Sequence, residues 1–426
     1  MRSLPLVRSR LKVRLVSVQQ SIPVSLRFGQ DGRFECELDS SHVTVLRPGP
    51  RPCADLAALT RRALLSPLDF PRLDQAVVSD DRIVIVLDRR TPGADVIIAE
   101  IWKVLETRHV EATNVLILQP AVLGLIEDSD PRSLLPDKIR KQMIWKTHDP
   151  TAEDCCALLT ASSTGETIQL DRELVDAAFV ILVGMTAYDT VLGYRGTGSG
   201  IYPGLSSVEA IRKSIGQGHQ ELVPSDIRPL RQLIDEVTWL LGIQFTVQVV
   251  PADDGGVFDV FAGNLEAVFK KSKEQLDHNW MLSVPERVEM VVVAVPADAS
   301  GHGWRQIGSA IEAARQLVES DGRIVVLSQL KEAPGEGILM LLGQDENDDC
   351  MQQLRAANPL DITPATQISA AANWARVYLL SKLDPGLVDD LCLFPLESTA
   401  EVERLLATTD SCILIGSAQY AYGVVD

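Results

Sequence analysis

Asp81-Arg-Ile-Val-Ile-Val-Leu-Asp88, followed by Arg89-Arg-Thr-Pro-Gly93 and the segment Ala94 to Thr107, decides the fold class. Ile83 to Leu87 is an unbroken apolar run, mostly β-branched, and reads as a strand buried on both faces. The Pro-Gly pair ends it. Val96, Ile97, Ile101, Val104 and Leu105 then recur at helical spacing, and Asn114 to Leu118 reads as a second buried strand. Strand, turn, helix, strand is a βαβ unit, and it predicts a parallel sheet.

The pattern continues on both sides. Upstream, Val24 to Leu46 reads as antiparallel β structure around the turn Phe28-Gly-Gln-Asp-Gly32, and Asp55 to Leu65 as a helix. Downstream, the expected order is a helix over Ala152 to Leu159, a short strand over Thr167 to Leu170 and a buried strand over Phe179 to Val183. A Gly-rich loop follows, Gly193-Tyr-Arg-Gly-Thr-Gly-Ser-Gly200. Helices over Ser207 to Ser214 and Arg228 to Leu241 precede paired strands at Phe245 to Val250 and Val257 to Phe261. After a connecting helix, Glu266 to Leu276, the register restarts with the strand Met290 to Val295, the helix Trp304 to Glu319 and the strand Arg323 to Leu327. Val377 to Leu380, a helix over Ala400 to Ala407 and Cys412 to Ile415 complete it. The expectation is two α/β domains with mainly parallel sheets, at residues 1–275 and 280–426.

The 426 residues carry 40 Lys plus Arg against 58 Asp plus Glu, a net charge of −18. A body this acidic repels phosphate backbones and anionic lipid, so neither nucleic acid nor membrane is an expected partner. No apolar run approaches the roughly 18 residues of a membrane span. Arg2, Arg8, Arg10, Lys12 and Arg14 are not followed by a long apolar core, so the N-terminus reads as a loose leader rather than a secretory signal. The seven cysteines include no Cys-x-x-Cys pair, and Cys155 and Cys156 are adjacent and expected to point apart. Free thiols in a reducing cytoplasm are the expected state. The histidines are scattered without ligand spacing, so no metal site is expected.

In open parallel sheets, ligands sit beyond the carboxyl ends of the strands. Three loops qualify. In the first, Arg89, Arg90 and the Thr91 hydroxyl can hold a carboxylate or phosphate, with Asp88 orienting an arginine. The second is Gly193 to Gly204, whose glycines suit an anion nest, with Tyr188 and Asp189 just upstream. The third is Pro296-Ala-Asp-Ala-Ser-Gly-His302 with Arg305 and Gln306, where Asp298 and His302 can do acid–base work.

From about Val24 to the C-terminus the chain resembles the nickel-pincer lactate racemase family. Ser25-Leu-Arg-Phe-Gly-Gln30 is similar to the family's opening strand, Ala63-Leu-Leu-Ser-Pro67 to its "ALxxP" segment, and Ile83 to Pro92 to its strand and arginine loop. The last two residues of Thr147-His148-Asp149 match the "NHD" element. Phe179 to Gly204 is similar to the "GFSGGxKxxxPG" region, and Val260-Phe-Ala-Gly263 and Val295-Pro-Ala-Asp298 match later landmarks. The resemblance implies two α/β domains with a cleft between them. There, a sulfur-bearing pyridinium nucleotide holding nickel takes a hydride from a 2-hydroxy acid and returns it to either face.

The resemblance also implies departures. The anchoring lysine's place falls on Ser199 and that of a nickel-ligating histidine on Asp189. Two further histidines fall near Leu123 and Ile215, with His219 one helical turn beyond the latter. The loop arginine falls on Thr91 beside Arg90, and a second-domain lysine on Ser309, while Gln306 matches a family glutamine. Neither Leu118 to Asp130 nor Gly184 to Ile211 contains a histidine or lysine.

The expected protein is therefore a divergent lactate racemase-like chain without nickel-pincer racemisation, whose cleft keeps a small anionic ligand such as a hydroxy acid. Asp88, Arg90, Thr91, Arg195, Ser199 and Gln306 are the expected binding residues, and Asp189 and His302 the catalytic candidates. No cofactor is expected, and the nickel-pincer nucleotide is implied only by the resemblance. The competing reading is an isomerase or other enzyme on a 2-hydroxy or sugar acid, using Asp189, Arg195, His302 or His219.

Overall fold

The structure is a computed structural model that describes residues 21–121, 129–161, 165, 167–216, 218–219, 221–342 and 348–426. The chain opens with strands β1 (Ser21–Phe28), β2 (Gly32–Asp39) and β3 (Val43–Arg47), then β4 (Ile83–Leu87), helix α1 (Ala94–Thr107) and β5 (Val115–Gln119). The central βαβ unit therefore forms where the apolar run placed it. Gly93 enters α1 with φ of 65°, and a Cβ there would lie 2.3 Å from Leu56 Cδ2, so this turn requires glycine.

Next come β6 (Ile144–Thr147), the pair β7 (Cys156–Ala161) and β8 (Thr167–Asp171), β9 (Phe179–Met185), and the short hairpin β10 (Ala187–Asp189) and β11 (Gly193–Arg195). Helices α2 (Val208–Lys213) and α3 (Pro229–Leu240) precede β12 (Phe245–Pro251) and β13 (Val257–Gly263). The first sheet runs β13-β12-β9-β4-β5-β6, parallel except for β13. Its period of two is visible in the core. Ile83, Ile85 and Leu87 pack with Ile97 and Ile101 of α1, while Val84 and Val86 pack with Ile234 and Val237 of α3.

Helix α4 (Leu265–Trp280) is capped by Asn264, whose Oδ1 accepts the Glu266 and Ala267 N–H groups. It leads into β14 (Met281–Val284), β15 (Val288–Ala294), α5 (Trp304–Leu317) and β16 (Val318–Leu327). Then follow α6 (Ile362–Ala372), β17 (Arg376–Leu380), β18 (Phe394–Leu396), β19 (Cys412–Ile415) and β20 (Tyr422–Val425). The second sheet runs β18-β17-β16-β15-β19-β3 and is parallel throughout.

Chain order and sheet membership part company at β3. It lies well inside the stretch 1–275 yet forms the edge of the second sheet. The β1–β2 hairpin goes with it: Leu26 and Phe34 pack against Met290, Val292 and Leu414. That side of β15 is apolar and no helix of its own half fully covers it, so the opening hairpin supplies the missing layer.

The helix expected over Ala152 to Leu159 does not form: a turn precedes β7, which begins at Cys156. β7 pairs antiparallel with β8, and Cys156 lies opposite Asp171. Asp149, positioned to cap a helix, spends Oδ1 on the Thr151 N–H and hydroxyl and closes a turn. A short apolar run fits either period, and cross-strand pairing decides it. The neighbouring thiols also differ from expectation. The Cys155 and Cys156 Sγ atoms are 3.5 Å apart rather than pointing away from each other. Among the described residues no helix is long and apolar enough to cross a membrane.

Candidate functional site

Each sheet has one place where the chain reverses its direction of winding. In the first, β4 is followed on one side by β5 and β6 and on the other by β9. In the second, β15 is followed on one side by β16 to β18 and on the other by β19. Crevices open beyond the carboxyl ends of strands at such switch points. Here the two crevices face each other across a cavity of about 350 Å³, within the range of small-molecule sites.

Asp88, one residue past β4, anchors the first wall. Its Oδ1 accepts the Arg90 N–H at 3.0 Å, and its Oδ2 pairs with the Arg195 guanidinium. Burial opposes its ionisation, but the charges of Arg195 and Arg90 outweigh burial and hold the carboxyl below its ordinary value. Arg90 and Arg305 enter the same cavity from opposite walls. Burial first, then the like charges of Arg195 and Arg305, push the Arg90 guanidinium well below its ordinary value, against Asp88 and Asp189. Arg305 is lowered by burial and then by Arg195. Part of Arg305 still meets cavity solvent, but protein surrounds it closely enough to cost it much of its hydration. Guanidinium groups stay protonated in proteins, so the three charges are an electrostatic cost relieved by an arriving anion.

Besides Arg89 of the first loop, Arg228 is a further cation on this surface, and sequence reasoning did not single it out. It is buried and lines the cavity. One nitrogen, Nη2, donates to the Leu222 and Val223 carbonyls, and Nε and Nη1 lack a partner among the described residues. Its position at the start of α3 looked like an ordinary helix boundary, so only the burial reveals it.

The expected residues divide when placed. Asp88, Arg90, Asp189, Arg195, Ser199 and Gln306 all line the cavity. Asp189 commits Oδ1 to the Val191 and Leu192 N–H groups, which closes the β10–β11 turn. Ser199 Oγ accepts the Gly196 N–H at 2.8 Å. Gln306 donates to Asp298 Oδ1 and Ser300 Oγ, and Tyr420 donates to Asp298 Oδ2, so Asp298 fixes the second wall rather than standing free.

Two expected residues do not reach the cavity lining. Thr91 is buried, and its hydroxyl donates to the Asp88 carbonyl at 2.6 Å. His302 lies away from the cavity, where its Nε2 accepts the Gln329 N–H at 2.9 Å and burial lowers its basicity. The loop after β15 turns back on itself between Asp298 and Gly301, which carries His302 toward the loop after β16. Leu123, the position implied for a histidine, lies outside the described residues.

The Gly-rich loop, expected as an anion nest, lines the cavity through Gly193, Ser199, Gly200 and Gly204, and two of its glycines are also needed for packing. A Cβ at Gly193 would meet the Pro224 carbonyl at 2.3 Å, and one at Gly198 would meet Thr238 Oγ1 at 2.2 Å. These glycines let the loop pack, and Arg231 clasps it through the Gly196 carbonyl and Thr197 Oγ1. The Cys156 thiol is pushed up to about 12, first by burial and then by its bond with Cys155, so it is not an activated nucleophile.

Thr91 provides a test that separates folding from binding. Thr91→Val keeps the shape and leaves the Asp88 carbonyl still bonded to the Thr91 N–H. The expected result is a loss of about 1 kcal/mol in urea unfolding, with small-anion affinity by calorimetry unchanged. A large affinity loss would return Thr91 to the binding set.

Residues 28–223 match the family model of the lactate racemase N-terminal domain. The lactate racemase apoprotein from Thermoanaerobacterium thermosaccharolyticum superposes with a TM-score of 0.77 at 16% identity, covering 94% of this chain and 100% of that one. A protein from Thermotoga maritima superposes with a TM-score of 0.64 at 12% identity, covering 83% of this chain and 96% of that one. At these identities the superpositions establish the fold alone. No curated protein matches the chain.

Proposed function

We propose, from the match of residues 28–223 to the lactate racemase N-terminal domain, that this chain is a lactate racemase-like protein whose cleft binds a small carboxylate, of the hydroxy-acid class, without nickel-pincer racemisation. The observation that carries the reading is the convergence of Arg90, Arg195 and Arg305 at facing switch points, with Asp88 tying down Arg195 alone of the three. Planar guanidinium groups match a carboxylate in two-point contact. Apolar walls such as Leu192 and Ile211 leave room for a short carbon skeleton.

The nickel-pincer nucleotide does not fit the residues present. The lining holds His219 as its one histidine and no lysine among the described residues. The Ser199 hydroxyl at the anchor position cannot form the lysine's amide-type linkage, and it already accepts a backbone N–H. Asp189, at a ligand position, is a harder donor than imidazole and closes its own turn. These replacements support binding without the family's hydride chemistry. The competing reading, an enzyme acting on a hydroxy or sugar acid, is supported by Asp189 in the same cavity as the arginines.

Purified protein titrated calorimetrically with D-lactate, L-lactate, glycolate and tartrate tests the proposal, alongside metal analysis and mass spectrometry of released small molecules. The expected result is saturable binding of at least one of these acids, with its configuration unchanged after incubation. Nickel together with a sulfur-bearing nucleotide, or interconversion of the lactates, overturns the proposal. Turnover of a tested acid that disappears in Asp189→Asn transfers the case to the enzyme reading.

A further inference from the structure

Outside the cleft, the turn between β6 and β7 brings His148 beside the adjacent Cys155 and Cys156. Cys155 and Cys156 Sγ lie 3.5 Å apart, and Cys156 Sγ lies 4.0 Å from His148 Nε2. One ligand atom from each of the three residues falls within 4.8 Å of the others. Zinc–sulfur and zinc–nitrogen bonds of about 2.3 and 2.0–2.1 Å set tetrahedral edges of about 3.8 Å between sulfurs and about 3.5 Å between sulfur and nitrogen. The observed separations lie within about half an ångström of these edges for the two measured pairs.

The histidine is held as a ligand would be. Its side chain is fully buried, and Nδ1 is 2.7 Å from Asp171 Oδ2. Asp171 is fixed in turn, because its Oδ1 accepts the Glu173 N–H. A carboxylate on the far ring nitrogen sets the imidazole's orientation and raises its donor strength. Nε2 lies 2.9 Å from the Ser206 carbonyl and 4.0 Å from Cys156 Sγ. Both cysteines are half-buried, which leaves access to the cluster from their side.

We propose that His148 Nε2, Cys155 Sγ and Cys156 Sγ form a zinc site, with Asp171 as the outer-shell support and a solvent molecule in the fourth position. Two thiolates with one imidazole select a borderline-soft cation over magnesium or calcium. The zinc ion takes the place of a proton on each thiol and of any proton that Nε2 shares with Ser206. The metal would tie the start of β7, at Cys155 and Cys156, to the end of β6, at His148. It lies apart from the arginine cluster, so the inference stands or falls independently of the proposed function.

The test is zinc titration of the reduced full-length chain, with stoichiometry after gel filtration and competition against a chromophoric chelator. Cobalt(II) is used in parallel for its thiolate charge-transfer band. The expected result is about one equivalent of zinc per chain, with affinity falling at least tenfold in Cys155→Ser and in Cys156→Ser. Both variants replace half-buried residues, and unchanged metal-free unfolding confirms their folding. Equal zinc retention by the double serine variant, or a cobalt spectrum without the thiolate band, overturns the proposal. So does a vicinal Cys155–Cys156 disulfide whose reduction restores no zinc uptake.

Discussion

Arg195→Met is expected to lower stability by about 3 kcal/mol, because it strips the buried Asp88 carboxylate of its ion-pair partner. The two side chains are only 11% and 16% exposed, so water does little to replace the lost guanidinium. Arg90 still lends Asp88 its backbone N–H and its charge, which keeps the loss at the lower end for a broken buried pair. The acid side of the stability profile gives a second reading of the same pair. The native Asp88 carboxyl is held below its unfolded value of about 3.9. Its contribution is therefore complete above that value and is lost as pH falls through the lower, native one. In Arg195→Met that contribution is gone, so the gap between variant and parent closes as pH drops below about 4. Urea unfolding of both proteins between neutral pH and the acid transition measures this, and a pH-independent gap would remove the Asp88–Arg195 pair as its cause.

Arg90→Met is expected to move stability and binding in opposite directions. Without ligand, Arg90 stands close to two like charges in a site that has removed much of its water. Its removal relieves repulsion, and cavity water screens part of that gain, leaving a rise of a few tenths to about 1 kcal/mol. The same change deletes a charge-assisted contact to the carboxylate, worth about 1.5–3 kcal/mol, or roughly 10- to 150-fold in affinity. Thermal unfolding with and without the best-binding acid shows both effects in one experiment. A variant that loses stability and keeps its ligand-induced shift would place Arg90 in the scaffold rather than the site. The trade is expected of functional sites, where like charges gathered for a ligand burden the empty protein.

Much of the site was legible because a parallel sheet announces itself locally. Ile83 to Leu87 and Met290 to Ala294 are apolar on both faces, and the residues just beyond such strands are where ligands bind. That reasoning reached Asp88, Arg90, Arg195 and Gln306, all of which line the cavity. It overreached at Thr91 and His302, whose residue types suit chemistry but whose side chains close turns and loops. Arg228 escaped notice because a helix-boundary arginine normally reaches solvent, and nothing local says that this one is covered.

Periodicity and composition were enough to establish an α/β protein with two parallel sheets and arginine-bearing strand ends, because each of those signals is carried by neighbouring residues. Three things depended on contacts between distant segments: β3 joining the second sheet, β7 forming a strand where a helix was equally well encoded, and Cys155 and Cys156 turning together beside His148. In each case the local sequence permits more than one arrangement with little difference in energy. Burial of an apolar face or completion of a hydrogen-bond ladder by residues far along the chain then selects among them.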